Sequence, residues 1–287
     1  MIYYLIYKIG VFIALHLPLK WAYRVAIFFS DLHYIFANKD RANIAANLKA
    51  IFPKKSISEI RAIRLAMTRN FAKYLVDFFR FSLLEKDNIK SVVDVVNINY
   101  VQEALSKGKG IIAVTAHIGN WELAGVTVAL LGYPIGAVAL PHRHKRVDNF
   151  FNYQRKRKGL IVIPLGHAAR HCLNLLRENK IIALAGDRVF NATGILLDFF
   201  GLPTYLPQGP AAFSIKTGAS IIPGFMIRNP NDTFKLIFEK PIEFSPSGDK
   251  AQDKIELTSK YKTIIEDYIR RYPEQWFMFR KFWVDKL

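Results

Sequence analysis

The run Gly110-Ile-Ile-Ala-Val-Thr-Ala-His117-Ile-Gly-Asn-Trp-Glu122 constrains the fold of this chain more than any other stretch. Residues 111–116 are apolar or small with no polar alternation, which suits a strand covered on both faces, as in a parallel sheet packed between helices. Gly119-Asn120 interrupts the run, and residues 121–131 resume at helical period. The segment reads as strand, turn, helix. His117 falls in the turn, at the carboxyl end of the strand, where open α/β sheets place their ligands. A second strand-like run, 180–185, ends in Gly186-Asp187-Arg188, so two parallel-type strands finish in ionisable residues.

Other segments agree. Strands are expected around Ile111, Ile135, Ile161, Ile181, Ile221 and Leu236, with helices near Asn174 and over 255–269. Ser56-x-x-Glu59 is a capping box opening a long amphipathic helix with Ile57, Ile60, Ile63, Met67, Phe71, Tyr74, Leu75 and Phe78 on one face. Its Arg61, Arg64, Arg69 and Lys73 form a solvated face or meet lipid phosphate. The expectation is an α/β domain over 37–287, a mostly parallel sheet flanked by helices, with a helical segment over 1–36. At 287 residues and 51% hydrophobic the chain can bury such a core.

Lys and Arg number 41 against 23 Asp and Glu, a net charge of +18, so the surface seeks polyanions: nucleic acid, anionic lipid or an acidic carrier protein. No helix-turn-helix, zinc or aromatic-basic RNA signature accompanies the charge, which argues against nucleic acid. Residues 1–17 carry one charge, Lys8, but Pro18 and Lys20 end the run short of the roughly 20 apolar residues a span needs. The segment reads as tilted or monotopic membrane contact, with 21–36 at the interface; a buried hairpin covering the core is the alternative. The single Cys172 excludes an intrachain disulfide and sits in a helical pattern as a core thiol.

An isolated His-x4-Glu is weak, since a histidine that satisfies a turn amide fits as well. If His117 lies on the turn and Glu122 in the first helical turns, the carboxylate could hold the imidazole's tautomer while the ring transfers a proton. No Gly-x-Ser-x-Gly nucleophile elbow is present. Backbone N–H groups of 118–121 are candidate oxyanion donors. Asp187 either anchors an Arg or caps a turn. His142 and His144 lack a zinc spacing, and no metal is assigned.

His117-x4-Glu122 resembles the signature of the lysophospholipid acyltransferase superfamily. The flanking blocks are similar to its lipid A biosynthesis (lauroyl/myristoyl) acyltransferase branch: Arg41-x-Asn43-Ile44-x-x-Asn47-Leu48-x-x-x-Phe52-Pro53, Pro141-His142, Arg155-x-Arg157-x-Gly159, Phe199-Phe200-Gly201, Gly209-Pro210-Ala211, Thr217-Gly218-Ala219 and Tyr272-Pro273-Glu274-Gln275-Trp276. The likeness runs from about residue 36 to 283. Asp187-Arg188 departs from the Asp-Gln of many lipid A enzymes, and Leu206-Pro207-Gln208-Gly209-Pro210 is similar to the related phosphatidylinositol mannoside acyltransferases.

The resemblance implies a glycerol-3-phosphate acyltransferase-like fold and transfer of an acyl chain from a thioester, on acyl carrier protein or CoA, to a glycolipid hydroxyl such as that of a lipid A precursor. It implies His117 as general base with Glu122, no cofactor, and a place at the bacterial inner membrane, catalytic domain on the cytoplasmic side. Arg155 and Arg157, otherwise a solvated cationic run, become phosphate-gripping candidates, and Asp187, Arg188 and Asn120 complete the expected substrate-binding set. A phosphatidylinositol-mannoside or lysophospholipid acyltransferase using acyl-CoA is the nearest alternative. A non-catalytic basic membrane-binding protein would instead show a continuous basic face with no groove at His117.

Overall fold

The computed structural model describes residues 2–189 and 194–283. Helices α1 (Ile2–His16) and α2 (Leu19–Phe36) form a hairpin bent at Pro18, followed by α3 (Asn38–Ile51) and the long α4 (Ile57–Phe79). After α5 (Ile89–Val92) and β1 (Val93–Val96), strands and helices alternate: α6 (Ile98–Ser106), β2 (Ile111–Thr115), α7 (Trp121–Leu130), β3 (Ile135–Ala139), α8 (Lys145–Arg157), β4 (Ile161–Pro164), α9 (Ala168–Arg177) and β5 (Ile181–Ala185). The chain continues through β6 (Gly194–Phe199), β7 (Leu202–Pro207), α10 (Gly209–Thr217), β8 (Ser220–Arg228), β9 (Phe234–Phe238) and α11 (Lys250–Arg271).

The main sheet has seven strands in the order β1-β9-β8-β2-β5-β3-β4, parallel except for the β8–β9 pair, and β6 with β7 forms a separate antiparallel hairpin. All six expected strands are present. β1 and the β6–β7 hairpin are additional, being short or half-exposed and so lacking a continuous apolar run. Both faces of the sheet are covered, which is why β2 carries no polar alternation. Ile111 packs with the helices from α1 to α8, while Ile112 and Val114 pack with α9 to α11.

The capping box forms as read: Ser56 Oγ accepts from the Glu59 amide and Glu59 accepts from the Ser56 amide. On the apolar face of α4, Ile60, Met67, Tyr74 and Phe78 are buried and Ile63, Phe71 and Leu75 half-buried, whereas Ile57 in the first turn is 87% exposed. Three of its four cations are engaged within the fold: Arg69 forks onto Asp31 at 2.8 Å twice, Lys73 reaches Asp232 at 2.7 Å, and Arg64 donates to the Tyr34 hydroxyl at 2.7 Å. Two of these partners lie on α2, so the hairpin is pinned along α4 by charge as well as packing. Ala22 and Tyr23 of α2 are buried in the same cluster as Phe78. Of the N-terminal apolar run, Met1 alone lies outside the described residues. No helix among them is long and apolar enough to cross a membrane.

Candidate active site

β2 and β5 are parallel neighbours in register, with Thr115 opposite Ala185. His117 and Asp187 each follow two residues later, so the register alone brings them side by side at the carboxyl edge. Asp187 Oδ2 accepts the His117 amide at 3.0 Å, and Asp187 Oδ1 accepts the His117 Nδ1–H at 2.7 Å. The Trp276 indole donates to Oδ2 at 3.1 Å. Burial of Asp187 is the strongest single influence and opposes its charge, but the His117 ring, Arg188 and the His117 amide together outweigh it and hold the carboxyl below the usual carboxylate range. An ionised carboxylate only accepts, so Nδ1 carries the proton and Nε2 faces the chemistry.

The hydrogen bonds differ from the expected partnership of His117 with Glu122: at Nδ1 the imidazole meets Asp187. Glu122 instead grips Arg155 in a bidentate pair, 2.9 Å to Nε and 2.5 Å to one terminal nitrogen. The helical rise from turn to α7 carries the Glu122 side chain toward α8, which an x4 spacing cannot reveal. Burial disfavours the Arg155 charge, yet Glu122 reverses this and raises its affinity for the proton. The third guanidinium nitrogen donates to Asn152 at 2.9 Å, so the fork expected to hold phosphate is engaged by protein. Arg157 lies exposed on the other side of α8, outside the cavity at His117.

Asn120 is also placed differently from expectation. Its side chain caps α7, accepting from the Leu123 amide at 3.0 Å, and donates to buried Asp77 at 3.1 Å. Of the expected oxyanion donors, the Gly119 amide bonds the Gln275 carbonyl and the Asn120 amide bonds the Met226 carbonyl, both at 2.9 Å. Gly119 has φ +60°, and a Cβ there would stand 1.7 Å from the Met226 carbonyl oxygen, so only glycine lets the turn press against β8.

A cavity of about 610 Å³ opens beside these groups, lined by His117, Glu122, Arg155, His142 and Arg188 among mainly apolar walls. Burial and the Arg155 charge depress the His142 pKa, favouring a neutral ring against Phe151. Arg188 donates to the Phe277 carbonyl, while its Nε–H, buried, has no hydrogen-bond partner among the described residues. Cys172 lines the same cavity with its thiol pushed up to about 11 by burial, which makes it a poor nucleophile. No three His, Cys, Asp or Glu side chains among the described residues are grouped to hold a metal.

Sequence reasoning missed the supports of this site. Phe277 donates its amide to the His117 carbonyl at 2.8 Å, and Gln275 pairs with the backbone of Arg228 through both its amide atoms, at 2.9 and 3.0 Å. The segment is clasped in turn by Asn47, whose Nδ2 donates to the Arg280 carbonyl at 2.8 Å, and by Asn43 and Asn70, which donate to the carbonyls of Phe279 and Glu274. Asn43 and Asn47, four residues apart and flanking the apolar Ile44 and Leu48 of α3, were the available signal. A second, apolar cavity of about 670 Å³ lies among α1 to α4 and shares Phe71, Leu75 and Phe279 with the first.

The family model for bacterial lipid A biosynthesis acyltransferases matches residues 1–285. A phosphatidylinositol mannoside acyltransferase of Mycolicibacterium smegmatis is 26% identical over 265 residues, 91% of this chain and 85% of the relative. One from Mycobacterium tuberculosis is 28% identical over 164 residues, 55% of this chain and 52% of the relative. A lipid A biosynthesis acyltransferase of Haemophilus influenzae is 22% identical over 241 residues, 84% of this chain and 74% of the relative. With a seven-stranded α/β core, a His–Asp pair at the carboxyl ends of adjacent parallel strands and a family match over nearly the full length, this chain is an acyltransferase and belongs to the bacterial lipid A biosynthesis acyltransferase family.

Proposed function

We propose that the protein moves a fatty acyl chain from a thioester to a hydroxyl of a membrane glycolipid, with His117 as general base oriented by Asp187. The observation that carries this reading is the His117–Asp187 pair opening onto a largely apolar cavity that also holds Arg188. Nε2 of His117 takes the acceptor hydroxyl's proton as its oxygen attacks the thioester carbonyl. The imidazolium is stabilised by Asp187, and as the C–S bond breaks it returns a proton to the leaving thiolate. The unpartnered Arg188 Nε–H is the donor available to the tetrahedral oxyanion. Glu122 and Arg155 act as a pair that shapes the cavity wall between α7 and α8. The adjoining cavity among α1 to α4 takes the acyl chain.

For the donor the reading is acyl carrier protein, since an acidic carrier complements a +18 surface. The acceptor is a lipid A precursor on the family match. A phosphatidylinositol mannoside is the second reading, favoured by the 26% identity across 91% of the chain. The exposed apolar side chains of the hairpin, among them Ile9 at 59%, Phe12 at 61%, Trp21 at 56%, Phe28 at 64% and Phe36 at 77%, suit the surface of a bacterial inner membrane approached from the cytoplasm. The test is thiol release from acyl carrier protein and acyl-CoA with each acceptor, for wild type and His117→Ala. Loss of about 10²–10⁴-fold in the variant supports the base. Wild-type turnover in His117→Ala would sink the mechanism, and equal use of CoA without salt dependence would reassign the donor.

A further inference from the structure

A second group of charges stands apart from the cavity at His117. The cleft between α1 and α8, about 650 Å³, is lined by Lys8 of α1 and Arg146 and Arg157 of α8, with Tyr4, Tyr153 and Asn149 beside them. No Asp or Glu lines it. Among the described residues none of these three cations makes an ion pair or hydrogen bond, and the charge of Arg157 acts only at longer range on Glu85, which Lys158 already holds. Three unpartnered cations facing one cleft repel each other, and an anion between them removes that cost.

The neighbouring surface says which anion. Tyr4, Lys8, Val11 and Leu15 recur at helical spacing and form the stripe of α1 that faces the cleft. The next stripe round the helix is Leu5, Ile9 and Phe12, exposed by 51, 59 and 61%. A basic cleft with tyrosines, edged by an exposed apolar stripe, repeats the order of a bilayer from headgroup to acyl chain. We infer that the α1–α8 cleft binds the phosphate of an anionic phospholipid headgroup and so seats α1 in the membrane surface. This rests on the membrane reading above. An acidic protein would satisfy the charge but leave the apolar stripe unexplained.

The test is flotation of the full chain with phosphatidylcholine vesicles and with vesicles carrying about one fifth phosphatidylglycerol. Wild type should prefer the anionic vesicles. Lys8→Gln with Arg146→Gln and Arg157→Gln should weaken that binding by about 100-fold, near fivefold per residue. Lys107→Gln with Lys109→Gln and Arg177→Gln, the same loss of charge at the amino ends of β2 and β5, should change it by about twofold at most. Equal floating of the first triple variant and wild type overturns the site, as does an equal fall in the second triple variant. Displacement by millimolar inorganic phosphate at constant ionic strength reassigns the cleft to a free phosphate. Undiminished floating with lost turnover on a carrier-protein thioester makes it a protein dock. Wild type that floats on neither vesicle overturns the membrane reading together with the site, whereas wild type that floats while the first triple variant matches it removes the site alone.

Discussion

Asp187 receives three donors, from the His117 amide, the His117 ring and the Trp276 indole, in a position with no solvent exposure. Asp187→Asn keeps the shape but can present an N–H to Nδ1, favouring the wrong tautomer, and should lower acyl transfer by about 10²–10⁴-fold with the far-ultraviolet spectrum unchanged. Glu122→Gln leaves the catalytic tautomer alone and breaks the pair with Arg155. It should destabilise by on the order of 3 kcal/mol in denaturant titration and cost less turnover than Asp187→Asn. Reversal of that ranking would restore Glu122 as the partner of His117. The depressed Asp187 carboxyl also fixes the sign of an acid effect. The folded pKa lies below the unfolded value of about 3.9, so the stability this residue contributes is present above about pH 4 and is lost as pH falls further. Asp187→Asn should flatten the acid limb of stability measured between about pH 5 and 2.

The turn between β2 and α7 is held by elements far from it in sequence. Gly119→Ala would place a methyl into the Met226 carbonyl at positive φ, so the turn must move. Thermal stability and turnover should fall together, and an unchanged melting point would show that the turn adapts. Asn47 of α3 donates to the carbonyls of Met278 and Arg280 and accepts the Phe282 amide at 3.2 Å. Asn47→Ala should cost about 1–3 kcal/mol by leaving buried backbone groups unpaired, and should slow transfer although the residue touches neither cavity. Within the second cavity, Ala72→Phe should shift preference toward shorter acyl donors, read as relative kcat/KM across a thioester series.

Across the whole molecule, a buried polar knot joins the hairpin to the sheet. Asp77 of α4 accepts from Tyr23 of α2 at 2.5 Å, from Arg228 of β8 and from Asn120 at the head of α7. Burial pushes the Asp77 carboxyl up, with Arg228 opposing, so the pair depends on every remaining partner. Tyr23→Phe should cost about 1–3 kcal/mol, and removal of residues 2–36 should abolish cooperative unfolding by uncovering this knot together with Phe78 and Phe79. A truncated chain that unfolds cooperatively and transfers acyl groups would show that the hairpin is dispensable to the core.

Local signals in the sequence marked most of the elements: the unalternating run before His117 suits a doubly covered strand, and Ser56 with Glu59 marked the start of α4 because capping chemistry acts over three residues. They also placed His117 and Asp187 at strand ends. Which carboxylate meets His117 was decided only in three dimensions, because pairing of β2 with β5 and the register of Thr115 against Ala185 are long-range choices that spacing along the chain does not encode. Glu122, five residues from His117 in sequence, is turned by α7 toward Arg155. Asp187, seventy residues away, lies 2.7 Å from the ring because two parallel strands end level with one another.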